Sequence, residues 1–153
     1  MLTTSWPGVV LLDLPERGGA LTSEFDAEAA ETQGLSQWGQ VSEEKMWDNM
    51  NYFVKAVMPV AEKFDVQMAL HPDDPPLSPL RGIGRILTSA KAYRRVMDIV
   101  PCRVNGVTFC QANFKLMGED IYALAREYTS KKKVFFVHFR DVEGNKQKFH
   151  ETF

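Results

Sequence analysis

Three segments of the sequence each end in a residue that can bind a metal ion. Short apolar runs, each of the length of a buried strand, lead into His71, Cys110 and His138. Two imidazoles and a thiolate form a borderline-soft ligand set that suits Zn, Fe(II) or Mn when a carboxylate is added. Each residue alone has an ordinary alternative, as a hydrogen-bonded structural histidine or a buried cysteine that packs as a small hydrophobe. The repetition at three strand ends favours one shared metal site.

Charged and imidazole side chains follow these strand ends closely. They are Asp73, Asp74, Arg140, Asp141, His150 and Glu151. A guanidinium such as that of Arg140 can clamp a substrate carboxylate through two hydrogen bonds, and a salt bridge with Asp141 or another neighbour is the equally open alternative. We expect His150 to be structural or to support a ligand. Cys102 follows Pro101 in a loop and is expected to be structural. The pattern alone predicts a metal-dependent α/β enzyme that acts on a small polar substrate.

Helices and strands alternate from residue 42 onward, and this order would position the three candidate ligands. The predicted helices are 42–64, a second one capped by Thr88 or Ser89, and one from about Glu119 to Tyr128. The predicted strands are Val66–Leu70, Gly106–Phe109, Val134–Val137 and a last segment, Lys146–Phe153. Such alternation indicates a parallel sheet with covering helices, in which sites gather at the carboxyl ends of the strands. Residues 1–41 are weakly patterned, with a candidate strand at Val9–Leu12 and a short helix or loop at Ala27–Thr32.

The composition of the chain limits the classes of partner that it can be expected to bind. The chain has 153 residues, which suits one domain, and a net charge of −2, which gives a nucleic-acid partner no electrostatic support. Its two cysteines are too few for a disulfide framework and suit a reducing compartment. The only apolar run near the start, Val9–Leu12, is too short for a signal peptide or a membrane span. We therefore expect a soluble cytoplasmic protein whose partner is a small molecule or another protein.

Five segments, in the same order along the chain as in the family, resemble the mannonate dehydratase family. They are Met68–Pro76 (MALHPDDPP), Gly82–Ile86 (GIGRI), Gly106–Cys110 (GVTFC), Phe136–Val142 (FVHFRDV) and Phe149–Phe153 (FHETF). The combination of the HPDDPP motif with the cysteine and histidine strands behind it is specific, and the resemblance covers roughly residues 42–153. After the cysteine the family has a small glycine-containing loop, whereas this chain has Gln111–Lys115.

The resemblance implies a fold, a reaction and a set of site residues. The implied fold is an α/β TIM-type (β/α)₈ barrel of the xylose-isomerase-like kind, and the implied reaction removes water from D-mannonate to give 2-keto-3-deoxy-D-gluconate in hexuronate breakdown, with Mn²⁺ or Fe²⁺ as cofactor. The metal ligands carried over are His71, Cys110 and His138, and the residues expected near the substrate are Asp73, Arg85 and Arg140. The family's Asp-His pair and its later tyrosine, linked to the fourth metal position and to proton transfer, have no counterpart up to Phe153. No catalytic residue is therefore assigned within this chain.

Length leads to a further expectation. A whole barrel needs about 250 residues, so residues 42–153 would form roughly half of one, and residues 1–41 a separate, poorly patterned segment. We therefore expect a fragment, a truncated gene product or a degenerate copy, whose open sheet edges favour aggregation or pairing with another chain, as in a homo-oligomer. Two alternatives to a dehydratase stay open here: a catalytically incomplete remnant, and a metal-dependent sugar isomerase or epimerase on the same barrel.

Overall fold

The computed structural model describes residues 12–152, which form two sheets and five α-helices. The strands are β1 (Leu12–Pro15), β2 (Leu21–Asp26), β3 (Met68–Leu70), β4 (Asn105–Cys110), β5 (Val134–His138), β6 (Asp141–Asn145) and β7 (Lys148–Thr152). The helices are α1 (Ala27–Thr32), α2 (Glu43–Lys63), α3 (Ala90–Ile99), α4 (Gln111–Leu116) and α5 (Ile121–Ser130). No helix in this part of the chain is long and apolar enough to cross a membrane.

The predicted parallel sheet is confirmed. β3, β4 and β5 lie side by side in chain order, all parallel, with Leu70 opposite Val107 and Cys110 opposite His138. β4 is buried along its whole length, as expected of a central strand that is covered on both faces. The larger core contains side chains of this sheet and of α2, α3 and α5, with Tyr93 and Tyr128 fully buried in it.

Each predicted helix begins at a side-chain cap. Ser42 accepts a hydrogen bond from the backbone N–H of Lys45 at the start of α2. Ser89 accepts one from the backbone N–H of Ala92 at the start of α3. Asp120 caps α5, one residue later than the predicted start. Such caps satisfy backbone N–H groups that have no partner within the helix. Pro59 lies inside α2, which continues to Lys63.

The second sheet is antiparallel and combines the two ends of the described chain. Its order is β1-β2-β7-β6, and Phe25 of β2 lies opposite Phe149 of β7. The last segment is a strand, as predicted, but it joins this sheet and not the parallel one. Residues 27–32 form a helix, whereas the candidate strand at Val9–Leu12 lies outside the described residues apart from Leu12, where β1 begins. Segments on either side of residue 42 thus share a sheet, and the division of the chain into domains stays a prediction.

A smaller core links the antiparallel sheet to the end of β4. It contains Phe25, Leu116, Val142 and Phe149, together with Cys110. The helix α4 supplies one wall of this core and starts immediately after Cys110. Gln111–Lys115, which stand where the family has a glycine-containing loop, form most of α4. Cys110, at the end of the parallel sheet, therefore packs in the core that it shares with the antiparallel sheet.

Candidate metal centre

The three predicted ligands come together at one end of the parallel sheet. His71 follows the last residue of β3, Cys110 ends β4 and His138 ends β5. One donor atom from each of these side chains lies within 4.8 Å of the other two, and this is the one such group of three or more among residues 12–152. The parallel register accounts for the meeting, because strands that run in the same direction present their carboxyl ends at one edge.

The His71 ring is oriented by its neighbour. Its Nδ1 lies 2.8 Å from the carbonyl oxygen of Pro72. A carbonyl oxygen can only accept, so Nδ1 carries the proton and Nε2 keeps its lone pair. Histidine ligands to metals are commonly oriented by such a bond from the second ring nitrogen. Partial burial also lowers the pKa of His71, which favours the neutral ring that a metal requires.

The spacing of the two imidazoles fits one metal ion. His71 Nε2 lies 3.3 Å from His138 Nδ1. Two nitrogens that each lie about 2.0–2.1 Å from a tetrahedral ion are separated by about 3.3–3.4 Å, so the observed separation matches the one expected of two ligands on a shared cation. Together with the cysteine sulfur, these nitrogens form a donor set that fits a divalent metal.

Cys110 is the most buried of the three predicted ligands. It has no exposed surface, and this burial raises the pKa of its thiol. The neighbouring backbone of Asn113 and the positive charge of Arg140 act in the opposite direction. The side-chain amide of Asn113 also donates from Nδ2 to the Cys110 sulfur, over 3.4 Å. The prediction from sequence missed this residue, whose position over the cysteine depends on α4.

Arg140 forms a buried ion-pair clamp, as one of the two open alternatives predicted, but with other partners than Asp141. Its Nη1 lies 2.6 Å from Asp74 Oδ2, and its Nε lies 2.7 and 2.9 Å from the two carboxylate oxygens of Glu151. Asp141 instead pairs at the surface with Lys115, at 2.9 Å. Burial opposes the charge on Arg140, but the hydrogen bonds to Glu151 and the charge of Asp74 outweigh it and raise the pKa of the guanidinium. The clamp joins the loop after β3 to the two-residue link between β5 and β6 and to β7.

Two further residues predicted near the substrate bind each other. Asp73 Oδ1 accepts from Arg85 Nε over 2.7 Å. Its other oxygen accepts from the backbone N–H groups of Ile86 and Leu87, over 3.0 and 2.8 Å. Both oxygens of Asp73 thus hold the segment that leads to α3. The substrate-binding roles of Asp73, Arg85 and Arg140 stay predictions.

Two residues that the sequence analysis set aside lie apart from the cluster. His150, on β7, has its Nε2 3.7 Å from Glu16 and 3.9 Å from Glu143. Cys102 is a free, half-buried thiol that packs at the edge of the larger core. Neither contributes to the group formed by the three strand ends.

A parallel α/β sheet whose adjacent strands end in two imidazoles and a thiolate places the chain among α/β proteins with a candidate metal centre. The chain belongs to the D-mannonate dehydratase (UxuA) family, whose family model matches residues 21–153. The resemblance seen over residues 42–153 is thereby confirmed, and it extends into the segment that carries β2.

Known relatives agree with this assignment. The mannonate dehydratase of Streptococcus equi subsp. zooepidemicus is 38% identical over 113 residues, which are 73% of this chain and 31% of the relative. That of Chromohalobacter salexigens is 31% identical over 121 residues, or 77% of this chain and 30% of the relative. The crystal structure of mannonate dehydratase from Streptococcus suis serotype 2 superposes with a TM-score of 0.80 at 29% identity, over 95% of this chain and 43% of that one. The chain thus spans about a third of the length of the curated relatives it matches.

Proposed function

We propose that this chain carries the metal-binding part of a D-mannonate dehydratase, a hydro-lyase that converts D-mannonate to 2-keto-3-deoxy-D-gluconate and water in hexuronate breakdown. The observation that carries the proposal is the meeting of His71, Cys110 and His138 within 4.8 Å, in a chain of this family. The carbon–oxygen lyase activity rests on relatives of which this chain spans about a third.

The fold proposed for the working enzyme is a TIM-type (β/α)₈ barrel of the xylose-isomerase-like kind. Three features support it: the β3-β4-β5 sheet is parallel, its strands follow chain order, and the larger core lies against α2, α3 and α5. Within the described residues, β3 and β5 each have one neighbour in this sheet, so both outer edges are available to further strands. In such barrels the site is built at the carboxyl ends of the strands, where the three ligands lie.

The reaction is an elimination. A base removes the proton on C2, next to the carboxylate, and the hydroxyl on C3 takes up a proton and leaves as water. The enol formed then tautomerises to the 2-keto acid. When bound, a divalent metal supplies Lewis-acid stabilisation of the negative charge that develops on the carboxylate side of the substrate. The residues of this chain that would hold it are His71, Cys110 and His138.

Arg140 is the residue that we assign to the substrate carboxylate. Both oxygens of Asp73 are taken by hydrogen bonds, and Arg85 Nε is taken by Asp73. Arg140 Nη2 lies 2.5 Å from a Glu151 oxygen but makes no hydrogen bond of regular geometry within residues 12–152. A substrate carboxylate would therefore take the place of the Glu151 carboxylate on this buried guanidinium, through two parallel hydrogen bonds.

The cofactor proposed is Mn²⁺ or Fe²⁺, as the resemblance to the family implies, and the imidazole and thiolate donors suit a metal such as Fe²⁺ better than Mg²⁺ or Ca²⁺. The two free cysteines agree with a reducing compartment, and we propose the cytoplasm. The open edges of the parallel sheet suggest a homo-oligomer as a further proposal.

The test is turnover of D-mannonate by the purified chain with added Mn²⁺. If the chain completes its own site, alone or as an oligomer, keto acid forms with the wild type and with a His150→Ala control, whose imidazole lies outside the cluster, and its formation is lost in His71→Ala. Equal turnover in His71→Ala would contradict the metal-site assignment. Interconversion of ketose and aldose without loss of water would contradict the dehydratase assignment, and a folded, metal-binding chain without turnover would contradict catalysis by this chain.

A further inference from the structure

Asn113 lies over the sulfur of Cys110. It belongs to the first turn of α4, three residues after the cysteine, and its side chain has no exposed surface. Residues three apart on a helix lie on the same face, so the strand-to-helix junction places the amide beside the thiol. Asn113 Nδ2 donates to the Cys110 sulfur over 3.4 Å.

A donor at this position matches the form of cysteine that binds metals. A thiolate is an acceptor only, and a metal-bound sulfur keeps lone pairs that a neighbouring N–H group can engage. Partners of this kind orient a ligand and tune its electron density. The amide of Asn113 thus favours the deprotonated sulfur of Cys110, which is the form that a metal site requires.

The same amide has a cost for folding. Its Oδ1 is buried and has no hydrogen-bond partner among residues 12–152. A buried carbonyl oxygen without a partner is unfavourable, whereas an apolar side chain of the same shape has no such penalty. Leucine would fill this space without a polar atom, so the stability of the fold does not account for an asparagine here.

Asn105 provides the contrast. It is an equally buried asparagine on β4, but its Nδ2 donates to the backbone carbonyls of Val96 and Val100, over 3.3 and 3.1 Å. That amide satisfies the end of α3 and so supports the fold. The described chain therefore contains one buried amide that serves the backbone and one that serves the cysteine sulfur.

We propose that Asn113 is a positioning residue for the metal centre, which holds the Cys110 sulfur through an N–H···S hydrogen bond and tunes it for a divalent cation. This inference rests on the proposed function only in taking Cys110 as a metal ligand. It assigns no contact between Asn113 and the substrate.

The experiment compares Asn113→Leu with Asn105→Leu, using Co²⁺ alone as the probe. Co²⁺ affinity and the thiolate-to-cobalt charge-transfer band are measured by titration, and the stability of the metal-free chain by urea unfolding. For Asn113→Leu we expect about 10- to 100-fold weaker Co²⁺ binding, a band shifted to lower energy, and an unfolding midpoint that is unchanged or raised. For Asn105→Leu we expect a lower midpoint with the band of the bound cobalt unchanged.

A cycle with Cys110→Ala separates the two levels of inference. If Cys110→Ala leaves Co²⁺ binding unchanged, the metal site of the proposed function is wrong. If Cys110→Ala weakens binding but Asn113→Leu changes neither affinity nor band, only the present proposal fails. It also fails if Asn113→Leu weakens binding further in the Cys110→Ala background, since the residue would then act independently of the sulfur. Asn113→Ala, which removes the same donor, replaces Asn113→Leu in each comparison if the leucine variant does not fold.

Discussion

Replacing Arg140 with methionine should lower the free energy of unfolding by about 3–5 kcal/mol, the usual cost of removing one partner from a buried ion pair. The side chain of Arg140 is 7% exposed and that of Asp74 is 12% exposed, so water cannot take over the role of the guanidinium. Asp74 Oδ1 is also buried without a hydrogen-bond partner in the described part of the chain. Methionine would therefore leave a buried carboxylate with no donor from Arg140, and Glu151 would lose its partner too.

The exposed ion pair of Lys115 and Asp141 is the reference with which the loss of stability in Arg140→Met is compared. Their side chains are 48% and 50% exposed, and pairs of this kind contribute about 0–1 kcal/mol. Asp141→Asn is the matched control, because its side-chain oxygen can still accept from the backbone N–H of Val142 while the charge is lost. The difference between the buried and the exposed pair is thus several-fold.

The measurement is urea unfolding of both variants at pH 7, together with thermal unfolding. For a chain of this size the predicted loss corresponds to a fall in Tm of about 6–20 °C, since each kcal/mol shifts Tm by about 2–4 °C. Adding Asp74→Asn and Glu151→Gln to Arg140→Met should restore part of the stability, because no buried charge is then left unpaired. A loss for Arg140→Met no larger than that for Asp141→Asn would refute the reasoning.

Two other predictions concern the cysteine ligand and the central strand. Burial raises the pKa of the Cys110 thiol, and a metal binds only the deprotonated sulfur. Co²⁺ affinity should therefore rise about tenfold per pH unit above pH 7 until that pKa is passed. Titrations at several pH values should show this slope for the wild type but not for Cys110→Ala. Gly106→Ala would place a Cβ 2.4 Å from the backbone oxygen of Lys133, which accepts from the N–H of Val107, and should destabilise the chain by about 1–3 kcal/mol in urea unfolding. An unchanged midpoint would contradict this tight approach of β4 and the segment before β5.

The parallel sheet and its helices could be predicted because their signals are local. Ser42 and Ser89 mark helix starts through a hydrogen bond within three residues. The apolar run before Cys110 is a strand buried in the core, and the run before His138 is a strand whose Phe136 and Val137 are exposed. The convergence of the three ligands followed from the rule that parallel strands present their carboxyl ends together. These parts of the fold and the site needed no information on distant contacts.

The antiparallel sheet could not be predicted in the same way. β6 has a single buried side chain, Val142, between charged and polar neighbours, so it has no apolar run. β7 pairs with its chain neighbour β6 on one side and with β2, more than a hundred residues earlier in the chain, on the other, and no local pattern specifies the pairing with β2. The helix α4 was missed because it starts directly at Cys110, without a side-chain cap or a turn that would mark its beginning.

The clamp links this unpredicted sheet to the predicted metal ligands. Asp74 lies three residues after His71, and Arg140 lies two residues after His138, so each imidazole sits at the start of a segment that the clamp holds. Glu151 fixes the guanidinium from β7 and thereby ties both segments to the antiparallel sheet. Because ligands must be held close to their binding geometry before the metal arrives, the clamp should contribute to affinity as well as stability. Arg140→Met should therefore weaken Co²⁺ binding even under conditions where the variant is fully folded, whereas Asp141→Asn should not.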